Sequence, residues 1–182
     1  FIKRERSSRK GKISVLVGGK YENMRHRRNF LINLRKEDPE IRTNNMDKKE
    51  FVLKAVADKK ALIVDVSDKI FDYAEVGFHE FKTAKLYEEV LKKEGFQVEM
   101  GVGGMPTAFK AVYGSGKPVI GFLAEYDALP ELSQEGGCTM RKKAAGDNPD
   151  GHGCGHNLLG AGAMAAALAV KAYIREHPEA GT

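Results

Sequence analysis

Residues able to do chemistry concentrate in two short stretches of this 182-residue chain. The first is Asp150-Gly151-His152-Gly153-Cys154-Gly155-His156-Asn157, in which glycine alternates with histidine and cysteine. Glycine opens backbone conformations closed to other residues, so Cys154 and His156 can turn toward a common point. Thiolate and neutral imidazole suit zinc and similar ions, and a helix starting near Asn157 would offer its positive end to a thiolate or a bound anion. Two ligands fall short of a site, because closed zinc sites take about four protein ligands and catalytic ones about three plus water. The second stretch, Glu125-Tyr126-Asp127, offers more. Residues two apart on a strand share a side, so both carboxylates can face one point. Acids there can ligate a metal, orient a metal-bound histidine or move a proton. The competing reading, a solvated strand end, loses weight once a Cys-x-His cluster follows downstream.

These residues must be positioned by the elements around them. From Met46 the chain reads as helix: Asp47 with Glu50 forms a capping box, and Phe51, Val52 and Val56 form a narrow apolar face. Leu62, Ile63, Val66, Ile70, Phe71 and Ala74 recur at three- and four-residue steps and predict a longer helix ended by Gly77. Thr83, Ala84, Tyr87, Val90 and Leu91 predict another, with Glu88 and Glu89 set against Lys92 and Lys93 and Gly95 as its stop. The period then changes to that of strands over 96–100, 107–113 and 118–124. The last is nearly all apolar, the pattern of a strand buried in the middle of a sheet, and Glu125 and Asp127 stand at its C-terminal end, where α/β folds expose functional side chains. A long polar loop over 128–155 leads to an Ala/Gly-rich helix over 157–176. Loops of that length are usually functional or mobile. The fold class is α/β.

Composition bounds what remains. Hydrophobic residues at 42% and charged ones at 30% describe a globular chain and exclude a fibrous or disordered class. The charge is uneven: residues 1–45 carry 13 Lys/Arg against 5 Asp/Glu, net +8, and the other 137 carry 17 against 20, net −3. The segment 1–45, with one β-like run at 13–17 and no sustained period, reads as a basic leader, disordered or non-native, before a body that starts at Met46. Its basic residues lack the interleaved aromatics that stack on bases, and the body lacks a basic surface, so no nucleic-acid partner is expected. No apolar run approaches 18 residues, so no membrane partner is expected either. Two cysteines, Cys138 and Cys154, suit a reducing compartment, and the expected location is cytoplasmic. Gly101-Val102-Gly103-Gly104 fits no phosphate-loop pattern, with Pro106 removing a donor, and reads as a hairpin turn. His79, His177 and Cys138 read as bystanders.

Three segments together carry a family likeness. Glu75-Val76-Gly77-Phe78-His79-Glu80 with Thr83-Ala84, then GFLAEYDALP from Gly121 to Pro130, then GHGCGHNLLG from Gly151 to Gly160, resemble the amidohydrolase branch of the co-catalytic metallopeptidases, which includes aminoacylases and hippurate hydrolases. The resemblance spans 46–182 and not 1–45. It implies the N-terminal part of a three-layer αβα catalytic domain, truncated before a dimerisation domain, and a site for two divalent ions, zinc or manganese. It makes Cys154 and His156 metal ligands and Asp127 the acid that supports the site. Glu125 stands where many relatives have Asp, and enters as a further metal ligand. The implied activity, in a full-length and oligomeric protein, is hydrolysis of the amide bond of N-acyl amino acids such as p-aminobenzoyl-glutamate. The family's general-base glutamate and further histidine ligands would follow Thr182, so the chain alone is expected to be inactive. The alternative is a metal-binding structural piece without catalysis.

Overall fold

The computed structural model of the chain describes residues 12–17, 39–115 and 117–177. Helix α1, Pro39–Asp58, begins seven residues before Met46. Proline suits the first helical turn, where its missing N–H would be unpaired anyway, so Asp47 lies inside the helix and is not its cap. Helix α2, Lys60–Tyr73, buries Val66, Ser67 and Ile70 along one stripe and ends at Ala74, which is left-handed at φ 42° and donates its N–H to Ile70 O. Helix α3, Phe81–Lys93, buries Thr83, Ala84, Tyr87 and Leu91, with Lys92 and Lys93 at the negative end of its dipole.

Four strands form one mixed sheet in the order β2, β3, β1, β4: β1 is Lys12–Val17, β2 Gln97–Met100, β3 Phe109–Tyr113 and β4 Val119–Ala124. Strands β2 and β3 pair antiparallel across the connection 101–108, which includes a 3-10 turn and holds Gly101, Gly103 and Gly104 at φ between 67° and 78°, a region open chiefly to glycine. Strand β1 runs antiparallel to β3 and parallel to β4, with Val15 opposite both Ala111 and Phe122. Of the segment 1–45 read as a leader, 12–17 is therefore β1 and 39–45 is the start of α1; the rest lies outside the described residues.

Strand β4 departs from the expectation of a central strand, for among the described residues it lies at the sheet edge. Val119, Ile120 and Leu123 are exposed along it. A run of apolar residues reports affinity for burial but not which neighbours arrive to provide it. The inward residues Phe109, Ala111 and Ala124 join Val66, Ile70, Tyr87, Leu91, Met164 and Leu168 in one core. The opposite face carries the Lys110–Glu99 ion pair and the exposed Leu123. The chain is thus mixed α/β, and among the described residues no helix covers that second face, so the third layer has no counterpart there.

Helix α4, His156–Glu176, packs on α1, α2 and β4. At 21 residues it is long and apolar enough to cross a membrane by length and composition alone. Its Ala161, Met164, Ala167 and Leu168 are buried in the body. Near its C-terminal end Lys171 bonds Glu94, which also receives Lys59 Nζ at 2.6 Å. Burial alone would raise the Glu94 carboxyl, but the two lysines outweigh it and hold it below its usual range.

Candidate metal centre

The C-terminal end of β4 is where core packing sorts side chains. Tyr126 is buried against Phe109 and Tyr87, with its hydroxyl donated to Thr107 O. Its neighbours Glu125 and Asp127 are therefore turned to the other side, as the alternation of the chain requires. The next residue fixes the height of the site: Ala128 donates its N–H to Glu75 O at 2.7 Å, in a parallel bridge of Val76 with Ala128. Glu75 in turn caps α3, its carboxylate accepting Lys82 N at 3.0 Å, Thr83 N at 2.9 Å and Thr83 Oγ1 at 3.0 Å. Glu80 accepts from Thr107 Oγ1 at 2.7 Å. Both acids of the Glu75–Glu80 motif are thus engaged by hydrogen bonds, one to the start of α3 and the other to Thr107. The unpaired N–H groups at the start of α3 were the sequence signal for such a cap, but an acid seven residues upstream lies beyond the usual capping spacing.

The long loop is pinned at its far end. Leu129 and Gly151 exchange both backbone bonds, at 2.9 and 3.0 Å. His152 is buried with its ring tilted on Phe71, and its Nε2–H donates to Ile70 O at 2.9 Å. Burial holds its pKa below the usual histidine range, so the ring stays neutral and serves as a pin. Gly155, left-handed at φ 74°, starts α4, and Asn157 Nδ2 reaches Ser67 Oγ at 3.2 Å on α2. His156, the first residue of α4, is thereby set against the strand end.

There its ring lies between two carboxylates. Nδ1 is 2.8 Å from Asp127 Oδ1 and 3.0 Å from Asp127 O, and Nε2 is 3.1 Å from Glu125 Oε2. Nδ1–H donates to Asp127, the arrangement that orients histidine ligands in metal sites. Nε2 and the Glu125 oxygen, 3.1 Å apart, are then placed so that a cation between them would be held by both. Glu125, Asp127 and His156 offer oxygen, oxygen and nitrogen donors within 4.8 Å of one another, a set that suits zinc or manganese. Three of the four residues read from the sequence are thus together. Cys154 is exposed on the turn before α4 and outside this group. Cys138 lies in the loop, its thiol directed to Met140 O at 3.4 Å.

The segment preceding α3 also borders the site, because a Cβ built on Gly77 would lie 3.5 Å from Asp127 Oδ2. The turn closes through His79 N–H to Val76 O at 3.0 Å and holds Phe78 at φ 67°, with its ring exposed. A left-handed non-glycine residue costs about 1–2 kcal/mol, while glycine's extra freedom when unfolded takes back about 0.4–1 kcal/mol. Phe78→Gly should therefore stabilise the chain by up to about 1 kcal/mol, a rise in Tm of about 2–4 °C for a domain this size. A lower Tm in a thermal melt would mean that the exposed ring makes a contact worth more than the strain.

No protein-family model matches the chain. Among curated proteins it is 44% identical over 133 residues to a subunit of the p-aminobenzoyl-glutamate hydrolase of Escherichia coli (strain K12), a match covering 72% of this chain and 27% of that one. It is 33% identical over 114 residues to Thermostable carboxypeptidase 1 of Saccharolobus solfataricus, covering 62% and 28%. With the Xaa-Arg dipeptidase of Mus musculus it shares 37% over 78 residues, covering 39% and 14%. The chain spans about a quarter of the length of the first two relatives. Every one of these relatives is a hydrolase of amide or peptide bonds, and the chain belongs, over the residues matched, to their amidohydrolase/peptidase family.

Proposed function

We propose that this chain contributes the Glu125–Asp127–His156 part of a metal-dependent amidohydrolase site acting on N-acyl amino acids, with p-aminobenzoyl-glutamate as the first candidate substrate. The observation that carries the reading is the His156 ring between two carboxylates, at 2.8 Å from Asp127 and 3.1 Å from Glu125. Asp127 accepts the Nδ1 proton and so fixes the tautomer that leaves Nε2 as a donor, and Glu125 adds an oxygen beside it. Cys154, two residues before His156 on a glycine-flanked turn, is the proposed further ligand. When bound, zinc or manganese supplies Lewis acidity toward the scissile carbonyl and lowers the pKa of water. The names of the relatives support the substrate class, and the fact that one of them is a single subunit of its enzyme supports assembly with other subunits.

On this reading the 182 residues take up metal without turning over substrate, because the proton-transfer glutamate is supplied from elsewhere in the whole protein. The test is metal content after dialysis, together with release of p-aminobenzoate from p-aminobenzoyl-glutamate, for this chain and for the longest protein expressed from the same gene. We expect metal in both, turnover only in the longer, and loss of that turnover with a chelator. Turnover by the 182-residue chain alone, or turnover by the longer protein that survives chelation, would overturn the assignment.

A further inference from the structure

Helix α4 can bring His156 to the strand end only if its first turn lies close against β4, and Gly160 is where the two meet. Gly160 is one helical turn after His156 on the same face, and buried. A Cβ built there would lie 3.2 Å from Glu125 O, 2.3 Å from the Tyr87 hydroxyl oxygen and 3.3 Å from Tyr87 Cζ. Tyr87 has no room to retreat: it is 1% exposed, with Phe109 and Tyr126 ring centroids at 5.5 and 5.4 Å. Its hydroxyl, without a hydrogen-bond partner among the described residues, fills the space that a side chain at 160 would need. Burial raises this phenol far above its usual range, so it stays a neutral hydroxyl.

We propose that Gly160 is a positioning residue of the metal centre: its missing side chain sets the separation between the helix that carries His156 and the strand end that carries Glu125. The inference rests on the reading of Glu125 and His156 as metal-binding. The magnitudes favour a functional effect over a merely structural one. A methyl group at 160 must move about 1 Å from the Tyr87 oxygen to reach ordinary van der Waals contact, whereas metal–ligand distances tolerate only about 0.2 Å. Because helices move as rigid units over one turn, most of that displacement reaches His156.

The test measures zinc affinity, by competition with a chromophoric chelator, and the Tm of the metal-free protein, for the unmodified chain, for Gly160→Ala, and for Gly160→Ala combined with Tyr87→Phe. We expect Gly160→Ala to weaken zinc binding at least tenfold at temperatures where the metal-free protein is folded. Removing the Tyr87 oxygen eliminates the 2.3 Å overlap and leaves only 3.2–3.3 Å contacts. The double variant should therefore recover to within about threefold of the unmodified chain. If Gly160→Ala fails to fold, a double variant that folds and recovers zinc binding still supports the role. Unchanged affinity in Gly160→Ala, or a folded double variant as weak as the single, overturns it. An unmodified chain that takes up no zinc sinks the underlying metal reading and this inference with it; unmodified and Gly160→Ala chains that bind zinc equally sink the positioning role alone.

Discussion

His156→Ala should reduce the affinity of the chain for zinc or manganese by at least about 100-fold. The substitution deletes the nitrogen donor and leaves Glu125 and Asp127 as two carboxylates facing each other with nothing between them. Asp127→Asn should cost less, about 10- to 100-fold, the usual loss when the partner that orients a ligating histidine is removed. The amide can present its NH2 to Nδ1 and so favour the wrong tautomer. Cys154→Ala is expected to weaken binding at least tenfold, and Cys138→Ala to leave it unchanged, since that thiol is engaged with Met140 O in the loop. The measurement is metal bound after dialysis against defined free-metal buffers. Full metal content in His156→Ala would show that the two carboxylates and the histidine are an ordinary ion-pair cluster.

The largest effect on stability is expected at Gly151. A Cβ there would lie 2.1 Å from Leu132 O, 2.7 Å from Leu132 C and 2.9 Å from Ser133 Cα. All three are backbone atoms, so no rotamer change makes room, and the loop must separate from the strand end it is paired with through Leu129. Overpacking usually costs about 1–3 kcal/mol, and an obstruction by backbone belongs at the upper end. At about 3 kcal/mol, Gly151→Ala should lower Tm by about 6–12 °C in a chain of this size. Gly162→Ala is the matched control: it sits in α4 with nothing within 4 Å of its built Cβ, and alanine there should add up to about 1 kcal/mol. Equal melting temperatures for the two variants would mean that the 128–155 loop yields freely and does not hold the site.

Much of the architecture is set by local rules and is readable in the sequence. The three- and four-residue steps of Val66 and Ile70, and of Thr83, Tyr87 and Leu91, became the buried stripes of α2 and α3. The glycines at 101, 103 and 104 became the β2–β3 turn, and Glu125, Asp127 and His156 stand out as chemistry by residue type and motif order. Side-chain periodicity and backbone permissiveness depend on near neighbours, which is why sequence reports them.

Tertiary structure decided the rest. Among the described residues strand β4 is an edge because strand order depends on which distant segments pair, and the segment beside it is 12–17, from the part of the chain that looks least structured in sequence. Glu75 became a cap through hydrogen bonds spanning seven and eight residues. His152 and His156 carry the same side chain four positions apart in one motif, yet one pins the loop to Ile70 O and the other lies between two carboxylates. Composition cannot separate them. What separates them is where α2, 82 residues upstream of His152, and the end of β4, 29 residues upstream of His156, meet the start of α4, a matter of packing across the core.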